Sequence, residues 1–355
     1  MCILAPVPDF DIPAFSSALA RWFGPNHREL PWRATRDPYA IWVSEIMLQQ
    51  TRVDTVCAYF EPFLARFPTV QHLAEASTDA VMGAWSGLGY YRRARLLHAG
   101  AQDVVARFGG RVPGEPALLR SIPGIGPYTA GAIASIAFNT PAALVDGNVA
   151  RVLSRMGAIE DPRQQAATAR GHWKVAQSVV ESGQPRVLAQ AMMELGAVVC
   201  TPQQPRCGEC PVRAECHAFR ADLTATIPSP KRKAPSPVET LDALVVRWGR
   251  RLLLERRPAT GLLADMWVLP TVPRPARVYG EALGVAIERA SPMDLEIKHV
   301  FTHRVWKLRP VEVFGARRPR LRGGATARCW LSPGERPTSG GTPTVTEKLL
   351  EVLGH

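Results

Sequence analysis

Glu45 lies in the middle of a run, residues 38 to about 49, that is apolar nearly all round: Ile41, Trp42, Val43, Ile46, Met47 and Leu48. A helix of that composition belongs inside the protein, and burial raises a carboxyl pKa by disfavouring its ionised form. A carboxylic acid still protonated near neutral pH is a good general acid. The competing reading is a buried Glu neutralised by an arginine. A second carboxylate, Asp146, follows the apolar run 142–145 and precedes Gly147-Asn148 and a helix reaching about Met156. Capping that helix is its simplest role. As a pair, the two carboxylates are what glycosidic cleavage needs: one protonates the leaving group and the other stabilises an oxocarbenium-like sugar. Whether they meet is left to the fold.

Of seven cysteines, four form C-x6-C-x2-C-x5-C at Cys200, Cys207, Cys210 and Cys216. Thiolates ligate both zinc and iron–sulfur clusters. Zinc sites join two tight pairs across a spacer, and only Cys207 and Cys210 make such a pair. One loop supplying all four ligands suits a cuboidal 4Fe–4S cluster better, with zinc or inert buried cysteines as the alternatives. Arg206 and Arg213 make the loop basic.

The segment SIPGIGPYTAGAI (121–133) brackets one apolar residue with Gly124 and Gly126, and Pro127 then opens a helix. Glycine lets the backbone turn and approach another chain closely. Exposed N–H groups and a helix N-terminus make a site for a DNA phosphate. A plain helix–turn–helix without ligand is the alternative.

The elements that must hold these residues are mostly helical. From Phe10 to about Phe219 the pattern is helix broken by short polar or Pro/Gly segments, with Asp37 and Pro38 as N-cap and first helical residue. Residues 227–240 (IPSPKRKAPSPVET) have the composition of a linker. Beyond it, residues 243–255 read as two strands around Trp248-Gly249-Arg250, and residues 299–314 as another strand-rich stretch. Lys and Arg number 43 against 31 Asp and Glu, a formal charge of +12, which suits a polyanionic partner. No apolar run approaches the ~20 residues of a membrane span, and residues 1–20 do not read as a signal peptide. A soluble cytoplasmic protein, nucleoid-associated if bacterial, is expected.

WVSEIMLQQTRV (42–53), GLGYYRRARLLH (87–98), IPGIGPYTAGAIASIA (122–137), VDGNVARVLSR (145–155) and the cysteine loop together resemble the MutY family of adenine DNA glycosylases. After the linker, GLLADMWVLP (261–270) and FTHRVWKL (301–308) resemble that family's C-terminal domain, which recognises 8-oxoguanine and is similar to Nudix hydrolases in fold. The resemblance implies a mainly α helix–hairpin–helix glycosylase region over 1–228. Within it, a six-helix part covers about 34–140, and an iron–sulfur part comprises 1–33 and 141–228. A linker at 229–240 and an α+β Nudix-like domain at 241–355 follow. No Nudix catalytic box is present, so no nucleotide hydrolysis is expected.

The resemblance also implies roles. Glu45 protonates adenine N7 and later helps the incoming water. Asp146 stabilises the cationic sugar, with Tyr128 and Asn148 close by. Gln190 reads the flipped adenine, although Leu188 and Ala189 stand where the family often has an aromatic residue and Asn. Arg28, Trp32 and Arg33 line the adenine pocket. Gln50, Thr51, Leu88 and Tyr90 act at the DNA around the lesion, and Gly124 and Gly126 grip phosphate. Phe301, Thr302 and His303 form the 8-oxoguanine loop, where Ser is commoner than Thr. The expected partner is duplex DNA with A opposite 8-oxoguanine or G, bound by a monomer that leaves an abasic site. Two rivals differ in chemistry. An endonuclease III-like glycosylase-lyase for oxidised pyrimidines needs a Schiff-base Lys two residues after the second hairpin Gly, where this chain has Tyr128; the first Lys in the chain is Lys174. A non-catalytic DNA-binding protein has no need of Glu45 and Asp146.

Overall fold

The computed structural model describes residues 10–160, 166–229, 235–274, 279–301, 303–315, 327–335, 337 and 341–355. In chain order the helices are α1 (Ile12–Asn26), α2 (Pro38–Leu48), α3 (Val53–Arg66), α4 (Val70–Glu75), α5 (Thr78–Ala84), α6 (Arg92–Phe108), α7 (Pro116–Leu119), α8 (Pro127–Phe138), α9 (Gly147–Met156), α10 (Ala166–Glu181), α11 (Pro185–Glu194) and α12 (His217–Arg220). The chain divides into two units: residues up to 75 with 96–232, and residues 76–95 with those from 233 onward.

In the first unit, local chemistry sets the ends of the helices that matter. Asp37 accepts hydrogen bonds from the Tyr39 and Ala40 N–H groups at the start of α2, and Pro38 takes the first position, where no donor is needed. Asp146 caps α9 in the same way through Val149. Gly126 and Pro127 start α8, and Asn139 ends it in the left-handed conformation. α11 runs on into a single π-helical turn, Leu195–Val199, which delivers the chain to Cys200. The core joins α1, α2, α8, α9, α10 and α11 through Phe15, Leu19, Ile41, Ala132, Leu153, Val179 and Met192, all buried. Burying side chains of this size is the main source of stability, at roughly 1.5–3 kcal/mol each.

The second unit is built on β1 (Val238–Trp248), β2 (Arg251–Arg256), β3 (Trp267–Val268), β4 (Thr271–Pro273), β5 (Arg289–Pro292), β6 (Ile297–Val300), β7 (Val305–Phe314) and β8 (Arg328–Leu331), with α13 (Tyr279–Leu283) and α14 (Thr344–Val352). The sheet order is β3-β2-β1-β7-β5; β4 pairs with β1, β6 with β7, and β8 with β2. β1 and β7 run parallel, from Val238 opposite Val305 to Val246 opposite Val313. Alternation places Ala243 and Val245 in one apolar cluster with Trp306 and Leu349, and Leu244 and Val246 in another with Val311 and Leu283.

One expected boundary is corrected. Val238, Glu239 and Thr240, read as linker, are the first ladder residues of β1, opposite Val305, Trp306 and Lys307; two of the three are β-branched and suit a strand. Residues 76–95, read as part of the helical region, are helical in α5 and the start of α6 and group by their contacts with the second unit. Tyr91 donates to the Thr342 carbonyl at 3.1 Å, and Asp79 pairs with Arg256 at 3.3 Å. Among the described residues no helix is long and apolar enough to cross a membrane.

Candidate active site

Glu45 is buried at 4% exposure on α2, with Ile41 and Leu48 on its face of the helix. Its hydrogen-bond partner is Tyr128 on α8, whose hydroxyl donates to Glu45 Oε2 at 2.8 Å and lies 3.3 Å from Met193 Sδ. Burial pushes the Glu45 carboxyl up to about 7. The Tyr128 hydrogen bond and the Arg33 charge oppose that rise, whereas the Asp146 charge adds to it. Tyr128 itself is raised well above the ordinary phenol range, first by burial and then by the two carboxyl groups.

Asp146 is held by its own helix. Oδ1 accepts from the Val149 N–H at 2.7 Å and Oδ2 from Asn148 Nδ2 at 2.9 Å. Burial raises its pKa, and those hydrogen bonds together with the Arg151 charge pull it back. Asn148 Oδ1 in turn accepts from Arg151 Nη2 at 2.9 Å, and Arg151 Nε donates to the Cys200 carbonyl at 2.7 Å. Gly196, in the π-helical turn, lets α9 come this close, because a Cβ there would lie 2.7 Å from the Asn148 Cβ.

Both carboxylates line one cavity of about 770 Å3 in the first unit, a size suited to one small ligand or one extruded base. Arg28, Trp32, Arg33, Gln50, Thr51, Gly124, Gly126, Tyr128, Asn148 and Gln190 line it as well. Gln50 adopts a left-handed backbone, φ +60°, just beyond α2; a non-glycine held there is strained and often functional. Gly124 has φ +82°, and a Cβ on it would come within 2.8 Å of Leu96, so the hairpin needs glycine at that position. Gln190 donates to the Arg186 carbonyl at 3.1 Å.

Other expected site residues lie elsewhere. Leu88, which is buried, and Tyr90, exposed at φ +48°, belong to the second unit and do not line this cavity. Phe301 is half-buried against the core, its ring 5.0 Å from that of Trp306 and 4.5 Å from that of His299. Its N–H closes the β6–β7 turn on the Arg304 carbonyl at 2.8 Å. His303 is exposed, and Thr302 lies outside the described residues.

Cys200, Cys207, Cys210 and Cys216 line a second, smaller pocket together with Arg155 and Val199. Burial raises Cys207, Cys210 and Cys216, Cys210 to about 12. Arg155 Nη1 donates to Cys200 Sγ at 3.3 Å and to the Thr201 carbonyl at 2.7 Å. Among the described residues no three His, Cys, Asp or Glu side chains converge on a site for a single metal ion. Four thiols share this pocket, with a guanidinium against one sulfur, and thiolates are ligands that zinc and iron–sulfur clusters both use.

The sequence reading missed Glu194. It sits one helical turn after Gln190 on α11, a spacing that puts both on one face and could have flagged it. The arginine-neutralised glutamate weighed for Glu45 is found here instead. Arg28 and Arg33 both pair with Glu194, whose side chain is fully buried.

Residues 43–177 match the model of the HhH-GPD superfamily base excision DNA repair proteins, and residues 242–352 match the NUDIX domain. The adenine DNA glycosylase of Rattus norvegicus is 38% identical over 355 residues, covering 82% of this chain and 69% of that protein. That of Buchnera aphidicola subsp. Baizongia pistaciae is 31% identical over 301 residues, covering 84% and 85%. The chain belongs to the adenine DNA glycosylase family. It spans 61% of the length of the Mus musculus relative and 65% of the Homo sapiens one. A thermostable thymine-DNA glycosylase structure superposes with TM-score 0.55 at 28% identity, covering 59% of this chain and 97% of that one. Endonuclease III in a non-covalent DNA complex gives 0.51 at 21% identity, covering 60% and 96%, a likeness of fold alone. The helical glycosylase fold and the strand-rich Nudix domain expected of this family are thus both present.

Proposed function

We propose that this chain is a monofunctional glycosylase that hydrolyses the N-glycosidic bond of adenine mispaired with 8-oxoguanine or guanine in duplex DNA, leaving an abasic site. The observation that carries this reading is that Glu45 and Asp146, distant in sequence, line one cavity, with Tyr128 hydrogen-bonded to Glu45. Adenine leaves poorly as an anion. Glu45, kept protonated by burial, delivers its proton to N7 of the extruded base. The C1′–N9 bond then breaks with its electron pair going to the neutral adenine, and positive charge develops on the sugar. Asp146 faces that charge as a carboxylate, oriented by Val149 and Asn148. Glu45, now ionised, takes a proton from water as its oxygen bonds to C1′. Its charge state is restored. Gln190, Arg28, Trp32 and Arg33 bind and orient the base, Gly124 and Gly126 seat a phosphate, and Gln50 and Thr51 with Leu88 and Tyr90 act on the bases around the lesion. Phe301, Thr302 and His303 read 8-oxoguanine.

Cys200, Cys207, Cys210 and Cys216 would hold a 4Fe–4S cluster, which supplies a rigid cross-link of the loop that follows the π-helical turn. All catalytic groups come from one chain, so a monomer suffices, and the DNA substrate sets its place of work at the chromosome, in the cytoplasm of a bacterium. The test is base release from duplexes carrying A opposite 8-oxoguanine, G or C, with and without alkali. Adenine release from the first two, with strands cut only after alkali, is the expected result. Release of oxidised pyrimidines instead, or binding without release, would favour one of the two rivals.

A further inference from the structure

Glu194 is the most heavily hydrogen-bonded carboxylate in the cavity, and the chemistry above gives it no part. Its side chain is 0% exposed, yet its two oxygens accept from the Arg28 N–H at 2.9 Å, Arg28 Nε at 2.9 Å, Arg28 Nη2 at 2.8 Å and Arg33 Nη2 at 2.7 Å. Arg33 Nη1 donates to the Arg28 carbonyl at 2.9 Å, which ties the two arginines together. A carboxylate taken from water is tolerated only with such partners. Burial alone would raise Glu194, but the arginine hydrogen bonds outweigh it and hold it ionised, at about 2.

We infer that Glu194 is a positioning residue for the acid step: it anchors Arg28 and Arg33 and offsets part of the positive charge that Arg33 presents to Glu45. Three ionisable groups act on Glu45 from the elements packed around it: Tyr128 from α8, Asp146 from the start of α9, and Arg33 from the turn Pro31–Arg33. Of these, only Arg33 is cationic, and a cation stabilises the carboxylate form that cannot protonate adenine. Arg33 lines the same cavity and is pinned by its bond to Glu194. With Glu194 ionised, the cluster of Arg28, Arg33 and Glu194 carries one positive charge rather than two, and the pull of Arg33 on the Glu45 proton is weakened. The inference rests on the proposed adenine chemistry for its consequence, and on the ion pairs for its structure.

The sign differs between the two partners, and that separates this role from simple packing. In Glu194→Gln the arginines lose their counter-charge, Glu45 is more easily ionised, and the alkaline limb of single-turnover adenine release moves to lower pH. In Arg33→Gln the cation that favours ionised Glu45 is gone, Glu194 stays paired with Arg28, and the limb moves to higher pH. Each shift should be about one pH unit, at the low end of what a neighbouring unit charge does to a carboxyl. A purely structural pair would lower stability in both variants and leave the limb in place. Should Glu194→Gln fail to fold, Arg33→Gln, in which Glu194 keeps Arg28, still gives the answer. The same titration is read without DNA from the Glu45 carboxyl stretch, as the pH-difference infrared spectrum of each protein minus that of Glu45→Gln. An infrared shift with no adenine release would preserve this inference and sink the proposed reaction. Limbs and infrared midpoints that stay put, or move in the same direction in both variants, would overturn the inference.

Discussion

The Tyr128 hydroxyl donates to Glu45 Oε2 across 2.8 Å, joining the hairpin helix to the buried acid. The bond favours ionised Glu45, in opposition to burial, and so sets how far the carboxyl pKa rises. Removing it in Tyr128→Phe should raise that pKa further. The rate depends on the protonated form, so the alkaline limb of adenine release should move to higher pH, with little loss below pH 6. An unmoved limb would mean that Tyr128 does not act on Glu45.

Tyr128 also bears on strand cleavage. Cutting the backbone without alkali needs an amine that forms an imine with the sugar, and a phenol offers none. Borohydride should therefore fail to trap the native protein on DNA. Efficient trapping would mean that an amine outside this cavity reaches the sugar.

Glu45 itself should trade stability for activity. Its pKa is raised from an ordinary value near 4.5 to about 7, so the folded state binds this proton more tightly than the unfolded chain. The contribution is full below about 4.5 and is lost as pH rises through about 7, amounting to on the order of 3 kcal/mol. Glu45→Gln cannot ionise and escapes the loss. It should melt at a higher temperature than wild type at pH 8, with no such gain at pH 5. Adenine release should fall by roughly the 10²–10⁴-fold typical of a lost general acid. Equal melting points at pH 8, or excision near the wild-type rate, would each contradict a buried acid at Glu45.

Much of this site is legible in the residue string, because its parts are local. An N-cap followed by Pro, an apolar helix around one Glu, and two glycines bracketing an isoleucine are patterns within a dozen residues. What depends on pairing between distant residues is not legible. The meeting of Glu45 with Tyr128, and of Arg28 and Arg33 with Glu194, follows from how α2, α8 and α11 pack. The placement of residues 76–95 in the second unit rests on contacts such as Tyr91 with Thr342, which no periodicity announces. Val238 to Thr240 passed for linker because the prolines before them dominate the composition there, and only their partners on β7 reveal a strand.

The cysteine loop gives a spectroscopic expectation. With four thiols on one pocket, purified protein should be brown, absorb broadly in the visible, and contain about four irons per chain. Burial keeps the thiols of Cys207, Cys210 and Cys216 protonated, so cluster assembly must release protons and should weaken as pH falls. Cys207→Ala should lose iron and colour together. A colourless, active protein with one zinc per chain would refute the cluster.

The last expectation concerns how an undamaged base is chosen for removal. Adenine is present throughout DNA, so an enzyme that extrudes and excises it must take its specificity from the base opposite. 8-Oxoguanine differs from guanine by a C8 oxygen and an N7–H donor, which a hydroxyl or a carbonyl can accept. In the β6–β7 turn, Phe301 packs inward against Trp306 while His303 is exposed; His303, with Thr302 as the hydroxyl the family resemblance supplies, is the position to test for contact with the lesion. Replacing both by Ala should lower the preference for A opposite 8-oxoguanine over A opposite G. One good hydrogen bond is worth roughly 1–3 kcal/mol of discrimination, about tenfold or more. Deleting residues 241–355 should lower the ratio at least as far, but it is the poorer experiment. It strips β1 of all but its first residues and removes Thr342 and Arg256, the partners of Tyr91 and Asp79, so a fall in activity could come from misfolding. The paired substitution leaves those contacts intact. Slow adenine release should survive it, because Glu45 and Asp146 are untouched. If the substituted protein discriminates as well as the native one, lesion reading lies outside this turn, and Gln50, strained at φ +60° in the wall of the cavity, becomes the first residue to replace.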